Sequence, residues 1–361
     1  MTTAESTPQA LAGHSRYTAK HIQSPCALTA PQAYVEWLLA LLKEEHFDLV
    51  LPVTEVTSQL LLSVKDKPPE LSMPFARYET VMALADKGQL MRRAATLGIP
   101  HPETEWFENA SALIVSRITY PVVLKPCLSK IFTGKKWIAT RVRVLHSEQE
   151  LRRELERSPY LHQYSFMLQS FVEGSGAGIF CLYDHGQPVT YFAHRRVREK
   201  PPEGGVSVLS ESVAIDPLMR DYATKLLDDV GWHGVAMVEF RVGLDGTPFL
   251  MEVNTRFWGS LQLAVDAGVD FPLLLWQIHG GDNPGKAFNY RQGQRLRWLL
   301  GDLDSLYLYL RGTHTMTDKV RRLLAFLTPR LVGVRHEVNR WDDLKPAWFE
   351  LKCYWKDLTG R

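Results

Sequence analysis

The sequence predicts an α/β (α+β) protein built from more than one sub-domain, and three observations carry that prediction. Helix-, strand- and helix-like patterns follow one another between Pro31 and Leu62. From Phe166 to Val253 short apolar runs alternate with glycine-rich punctuation. The last 72 residues differ in composition, with ten aromatics, four of them Trp, and fourteen Lys or Arg against eight Asp or Glu. A chain of 361 residues that is 45% apolar is long enough for two or three cores. Its 42 basic and 40 acidic residues leave a net charge of only +2, which argues against a nucleic-acid-coating role. No run approaches the roughly 20 apolar residues of a membrane span, and the first thirty residues lack an apolar signal core, so a cytoplasmic protein is expected. Cys26, Cys127, Cys181 and Cys353 form no CxxC pair and suggest neither a disulfide framework nor a zinc site.

The elements follow in order. Residues 1–30 have no periodicity and read as an irregular lead-in. Thr29 and Pro31 supply helix-start chemistry, and Tyr34, Leu38, Leu41 and Leu42 recur at helical spacing to about Glu45. Residues 48–53 read as a short buried strand of the parallel type, followed by a helical stretch through Leu62. Asp86, with Gln89 three positions on, opens a helix lined by Leu90, Ala94 and Leu97 and closed by Gly98 and Pro100. A strand is expected near Trp106, another over residues 120–126 with Lys125 at its end, and a capped, charged helix over 147–157 with a solvated outer face. Strands over 166–172, 179–184 and 189–194 are separated by Gly174-Ser-Gly176 and His185-Gly186. Asp216-Pro217 opens a helix that ends at Gly231. In the tail, 295–300, 304–310 and 319–327 read as amphipathic helices.

Chemistry concentrates in residues 235–254. Asp245-Gly246 is a favoured two-residue hairpin turn, and such a turn opposes residues whose numbers sum to 491, pairing Glu239 with Glu252. Alternation then puts Asn254 on the face of Glu252, with Val238, Phe240, Met251 and Val253 facing the core. Like charges opposed on a sheet destabilise it, so the pair needs a reason. Two carboxylates and an amide oxygen are hard ligands that suit Mg2+. The alternative is a screened acid pair on a surface hairpin, and a longer turn would shift the register. Arg256 lies just past this set, where a guanidinium can neutralise a phosphoryl oxygen or simply form a surface salt bridge.

With these residues in place, the chain resembles ATP-grasp enzymes of the carboxylate-amine ligase branch, similar to biotin carboxylases and carbamoyl-phosphate synthetases, over roughly residues 45–285. Four ordered blocks carry the resemblance: Asp86-Lys87 with Leu97-Gly-Ile-Pro100; Tyr120-Pro-Val-Val-Leu-Lys125-Pro126; Leu168-Gln-Ser-Phe-Val-Glu-Gly174; and Glu239-Phe240 with Glu252-Val-Asn-Thr-Arg256. The resemblance implies that Lys87 and Lys125 contact ATP phosphates and that Ser170 and Val172 hold the adenine edge, with Gln169 and Glu173 beside the base or ribose. It further implies that Glu239, Glu252 and Asn254 bind Mg2+ (Mn2+ as an alternative ion) and that Arg256 stabilises the phosphoryl group. His194-Arg-Arg196-Val-Arg198, running on to Gly204-Gly205, resembles the branch's active-site loop, with Arg196 or Arg198 binding the substrate carboxylate or γ-phosphate.

Two features depart from the family. The loop after Lys125, residues 127–134, holds one glycine, which shifts phosphate cover to Ser129, Lys130 or Lys135. The opening βα unit of the family's first domain is missing, through trimming or a downstream recorded start. The expected organisation is a truncated Rossmann-like domain over 1–84, the ATP-grasp domain over 85–289 (85–172 with the lysines, 173–289 with the hairpin), and a basic helical extension over 290–361. The implied reaction joins a small-molecule carboxylate to an amine through an acyl phosphate, releasing ADP and phosphate. Alternatives are another acceptor (bicarbonate, a thiol or a hydroxyl) or a silent nucleotide-binding scaffold. The chain is expected to act as a homodimer without nucleic acid, and the tail to pack on the core; a carrier-protein or membrane-surface contact through it is the lesser alternative.

Overall fold

A computed structural model describes residues 1–202, 205–282, 289–327 and 333–360. The first thirty residues are more ordered than their pattern implies. Strands β1 (Thr2–Glu5) and β2 (Lys20–Gln23) pair in parallel, joined through a short 3-10 turn at Ala12–His14. Helix α1 (Pro31–Glu44) buries Leu38 and Leu42 as its periodicity requires, but its N-cap is Ala30 and no side chain caps it, so Thr29 has no such role. Residues 48–53 are not a strand. Val50 donates one backbone bond to the Ser72 carbonyl, while Leu51 and Val53 are exposed; Pro52 has no N–H with which to continue a ladder.

Helices α2 (Glu55–Leu62), α3 (Tyr78–Ala85) and α4 (Lys87–Thr96) follow. Asp86 caps α4 by accepting from the Gln89 N–H, which fixes Lys87 in the first turn. The next region contains β3 (Thr104–Phe107), β4 (Val122–Pro126), a small hairpin of β5 (Lys130–Phe132) and β6 (Trp137–Ala139), β7 (Arg143–Leu145), α5 (Glu148–Arg157) and β8 (Phe166–Ser170). Strands β3, β8, β4 and β7 form a four-stranded antiparallel sheet in that order. Val122, Leu124, Phe166 and Leu168 fill a core on one face; Val123, Lys125, Met167 and Gln169 alternate onto the other.

The second sheet has seven strands in the order β13-β12-β9-β10-β11-β14-β15. Its members are β9 (Gly174–Asp184), β10 (Gln187–Lys200), β11 (Val206–Ser212), β12 (Gly234–Gly243), β13 (Pro248–Asn254), β14 (Arg295–Arg297) and β15 (Val334–His336), with α6 (Pro217–Asp229), α7 (Leu261–Ala267) and α8 (Phe271–His279) between them. One face packs Cys181, Tyr183, Val238 and Phe240 against α3, α4 and α6; the other packs Phe180, Leu182, Val235 and Met237 against α7 and α8.

The tail corrects the expectation most. Residues 295–297 are a strand, not the start of a helix, and with β15 they extend the sheet beyond β11. Helices α9 (Leu299–Arg311), α10 (Met316–Leu327) and α11 (Lys345–Thr359) complete it. Residues on both sides of position 289 therefore share one sheet. Residues 195–200, expected as part of an active-site loop, continue β10 and pair with β11; Gly204 of that expected loop lies outside the described residues.

Candidate active site

The hairpin delivers the predicted opposition by a route the sequence does not spell out. Glu239 faces Glu252, Val238 faces Val253 and Met237 faces Asn254, all in the register of a two-residue turn. The turn is longer, however, because Val242 already pairs with Pro248. A bulge at Met251 makes up the difference, so that Phe240 faces Leu250 and Leu250, not Met251, enters the core.

On the second face of the large sheet, the row Val235, Met237, Glu239, Arg241 passes from apolar to charged. Strand β9 contributes glycines at 174, 176 and 178 beside that charged end. Without side chains there, Arg196 reaches from β10 over Gly176, whose absent Cβ would stand 3.8 Å from Arg196 Nη1, and its Nη2 donates to Glu239 Oε1 at 2.8 Å. The other prong, Nη1, reaches Glu199 at 3.2 Å.

Both lysines arrive from the facing elements. Lys87 Nζ lies 3.4 Å from Glu252 Oε2 and donates to Ser129 Oγ at 2.8 Å. Lys125 is only 6% exposed and makes no ion pair among the described residues. Burial lowers its pKa to about 8, against the opposing pull of Glu252 and with Lys87 lowering it further. The two opposed carboxyls are driven apart. Burial raises Glu239 beyond what Arg196 offsets, whereas Glu252 is also raised by burial but held below the usual range by Lys87 and Lys125. Asn254 Nδ2 donates to Glu252 Oε1 at 3.4 Å, and Arg256 Nη1 to the Phe257 carbonyl at 2.6 Å. The cleft bounded by Lys87, Ser129, Glu252, Asn254, Arg256 and Glu55 has about 20 Å3 of free volume.

Lys87, Lys125, Arg196, Glu239, Glu252, Asn254 and Arg256 thus come together, while the expected adenine-side residues sit at the end of β8 and just after it. Gln169 is buried, its Nε2 bonded to Thr104 Oγ1 at 2.9 Å and its Oε1 without a partner among the described residues. The Ser170 N–H is donated to the Glu103 carbonyl, the Val172 carbonyl accepts from Arg241 Nε at 3.2 Å, and Glu173 is exposed. Lys130 is half-buried in β5 and Lys135 exposed at the tip of its hairpin.

Arg198 goes elsewhere. A register shift between Arg196 and Arg198 aligns Arg198 with Leu209 and Arg297, in line with the tail. Its Nη2 pairs at 2.7 Å with Asp302, a fully buried carboxylate that also accepts from Arg297 Nε at 2.7 Å and Arg322 Nη2 at 2.9 Å. Arg198 is therefore part of a buried ion cluster and not of the cleft, against the expectation that it binds substrate. Arg241, not singled out from sequence, is a neighbour that alternation could have found, two positions from Glu239 on the same strand. Glu55 comes from α2 with no local signal.

The donor set fits a divalent ion. Glu239, Glu252 and Asn254 present hard oxygens, and burial together with the opposed Glu252 pushes the Glu239 carboxyl up, a load that a bound cation would relieve.

A four-stranded and a seven-stranded antiparallel-rich sheet that bring buried lysines to paired carboxylates give the chain an ATP-grasp fold, as its structural neighbours show. A family model described as ATP-grasp in the biosynthetic pathway with Ter operon matches residues 162–301. The fold is similar to that of a biotin carboxylase–ATP complex from Campylobacter jejuni (TM-score 0.64, 17% identity, 81% of this chain and 68% of that one). It is also similar to an L-amino acid ligase from Bacillus licheniformis (0.61, 18%, 81% and 72%). A third is the biotin carboxylase domain of Hydrogenobacter thermophilus 2-oxoglutarate carboxylase, solved with MgADP and bicarbonate (0.63, 14%, 81% and 67%). No curated protein matches the sequence.

Proposed function

We propose that the protein is an ATP- and Mg2+-dependent ligase that joins a small-molecule carboxylate to an amine in the cytoplasm, working as a homodimer. The observation that carries this reading is the opposed Glu239–Glu252 pair with two buried lysines, Lys87 and Lys125, directed at it. Such an arrangement serves no packing purpose, since opposed acids and desolvated ammonium groups both cost stability. Its charges suit a triphosphate. The likeness to an L-amino acid ligase supports the amine acceptor.

In this reading a carboxylate oxygen attacks the γ-phosphorus, an O–P bond forms, the bond to the β,γ-bridging oxygen breaks and ADP leaves. The amine nitrogen then attacks the acyl carbon; the C–N bond forms, the C–O bond to phosphate breaks, and the amine proton passes to solvent. Lys87 and Lys125 hold phosphate oxygens as compact charges, while Arg256 and Arg196 offset the charge that gathers on the transferred group. Gln169, Ser170, Val172 and Glu173 border the adenosine side. Glu239, Glu252 and Asn254 hold the Mg2+, which when bound neutralises and aligns the phosphates.

The test is ADP release with panels of acids and amines, by wild type and Glu252→Gln. Release that needs both substrates, slowed at least a hundredfold in Glu252→Gln with an unchanged melting curve, is expected. Release driven by bicarbonate without an amine, or ATP binding with no turnover on any panel, would replace this reading.

A further inference from the structure

Helix α11 is docked by its mixed face and leaves its most apolar face outward. Inward, Pro346 is buried, Phe349 stacks on His14 with ring centroids 4.1 Å apart, Glu350 Oε1 accepts from Trp298 Nε1 at 2.6 Å, and Tyr354 donates its hydroxyl proton to Asp304 Oδ1 at 2.5 Å. Outward, Leu344, Trp348, Leu351, Trp355 and Leu358 recur at spacings of four and three and are 42–66% exposed. Trp341, just before the helix, is 93% exposed. A soluble helix ordinarily turns such a stripe inward. This one is inverted, and a contiguous apolar strip of this kind marks a contact surface.

The charges beside the strip select the occupant. Lys345 and Lys352 line one edge, Ala347 and Tyr354 the other, and Lys356 lies one position past Trp355. In a parallel pair of identical α11 helices, Lys352 would meet Ala347; in an antiparallel pair, the lysines would face one another. Neither arrangement pairs the rim lysines with an acid, so their charge is left for another partner. On α11 itself Lys345, Lys352 and Lys356 enter no ion pair among the described residues, whereas Arg295, Arg335 and Arg340 of the tail are paired with Glu211 and Asp266, so the free positive charge of the tail includes the rim of this helix. Tryptophan and leucine at the contact line with lysines at the rim is the composition of a helix lying in the interface of a bilayer, its rings at headgroup depth and its ammonium groups on anionic lipid.

We propose that α11 with Trp341 is a membrane-surface anchor, which seats the protein on anionic lipid with the helix lying in the interface plane. The anchor is independent of the catalytic reading, since none of its residues lines the cleft. The experiment is co-flotation of the full chain with vesicles of phosphatidylcholine alone or with one quarter phosphatidylglycerol, followed by tryptophan fluorescence on the same vesicles. Most of the protein should float with the anionic vesicles and at least fivefold less with the neutral ones, with a blue shift of emission. Trp348→Glu/Trp355→Glu should abolish flotation, and Lys345→Gln/Lys352→Gln should weaken it several-fold; both alter exposed positions and should melt with wild type. Equal flotation on neutral vesicles would overturn the anionic selection. No flotation, with a dimer by light scattering that the tryptophan variant dissociates, would assign the strip to a second copy and overturn the proposal.

Discussion

Asp302 is the position at which the tail's structural role is most exposed to test. Its carboxylate is fully buried, and Arg198, Arg297 and Arg322, all nearly buried, converge on it. Asp302→Asn keeps the volume and one acceptor oxygen but removes the only carboxylate the three guanidiniums share among the described residues. Burial already lowers the pKa of Arg198 to about 10 against the pull of Asp302, because Arg322 and Arg297 add repulsion. Removing one partner of a buried ion pair costs about 3–5 kcal/mol, and here the residual charge is cationic and threefold, so about 4 kcal/mol is a fair working value. With an unfolding entropy of about 2.1 cal/mol/K per residue, a chain of this length shifts by about 5 °C for that loss. Differential scanning calorimetry of wild type and Asp302→Asn reads it directly. A melting temperature within 1 °C of wild type would refute the reasoning, since it would mean that the arginines do not depend on this carboxylate.

The two arginines of β10 should separate by phenotype. Arg196→Ala strips the partner from Glu239 and should lower kcat at least thirtyfold with little change in melting, whereas Arg198→Ala should lower the melting temperature and leave kcat within about threefold; steady-state rates and melts on both variants check the contrast, and the reverse pattern would return Arg198 to the site. His194, buried against Phe180 with Ser260 3.4 Å from its Nε2, is pulled down by burial to about 3, with Arg196 adding to the effect. Unfolded, it titrates near 6.5, so between those values the unfolded chain binds the extra proton and acid favours unfolding. At pH 5 the loss is about 2 kcal/mol. Urea titrations at pH 7 and pH 5 should show it, and His194→Gln should flatten the difference; an equal slope in both proteins would discount His194.

The hairpin was legible because strand alternation is local: Glu239, Glu252 and Asn254 follow from a turn signal and a period of two. Its success has an instructive cause, since the longer turn and the bulge at Met251 cancel at Glu239 and leave the register displaced only between the bulge and the turn, at Leu250, Phe249 and Pro248. Lys87 and Lys125 were singled out by the family resemblance; the cap at Asp86 and the strand end only gave their places in the chain. Arg198 was not, because its facing depends on a register shift against β11, a pairing that no local pattern in β10 records. The strand at 295–297 was missed because three residues with an alternating charge are as consistent with a helical turn as with a sheet edge. Residues 48–53 have strand composition, yet a strand needs a neighbour, and none of the described strands lies beside them.

Chain order gives the extended sheet a consequence in time. Synthesis makes β10 about a hundred residues before Asp302, so Arg196 and its strand exist for an interval beside a β11 whose outer edge is open. During that interval Arg198 has no counter-charge to draw it away from the neighbouring strands. Only when β14 pairs with β11 and α9 follows is the edge closed and the guanidinium satisfied. The sheet that carries Arg196, Glu239 and Glu252 is thus finished by a late-made segment from which no described residue lines the cleft, and a nascent chain arrested near residue 290 would hold those three groups in a sheet not yet completed.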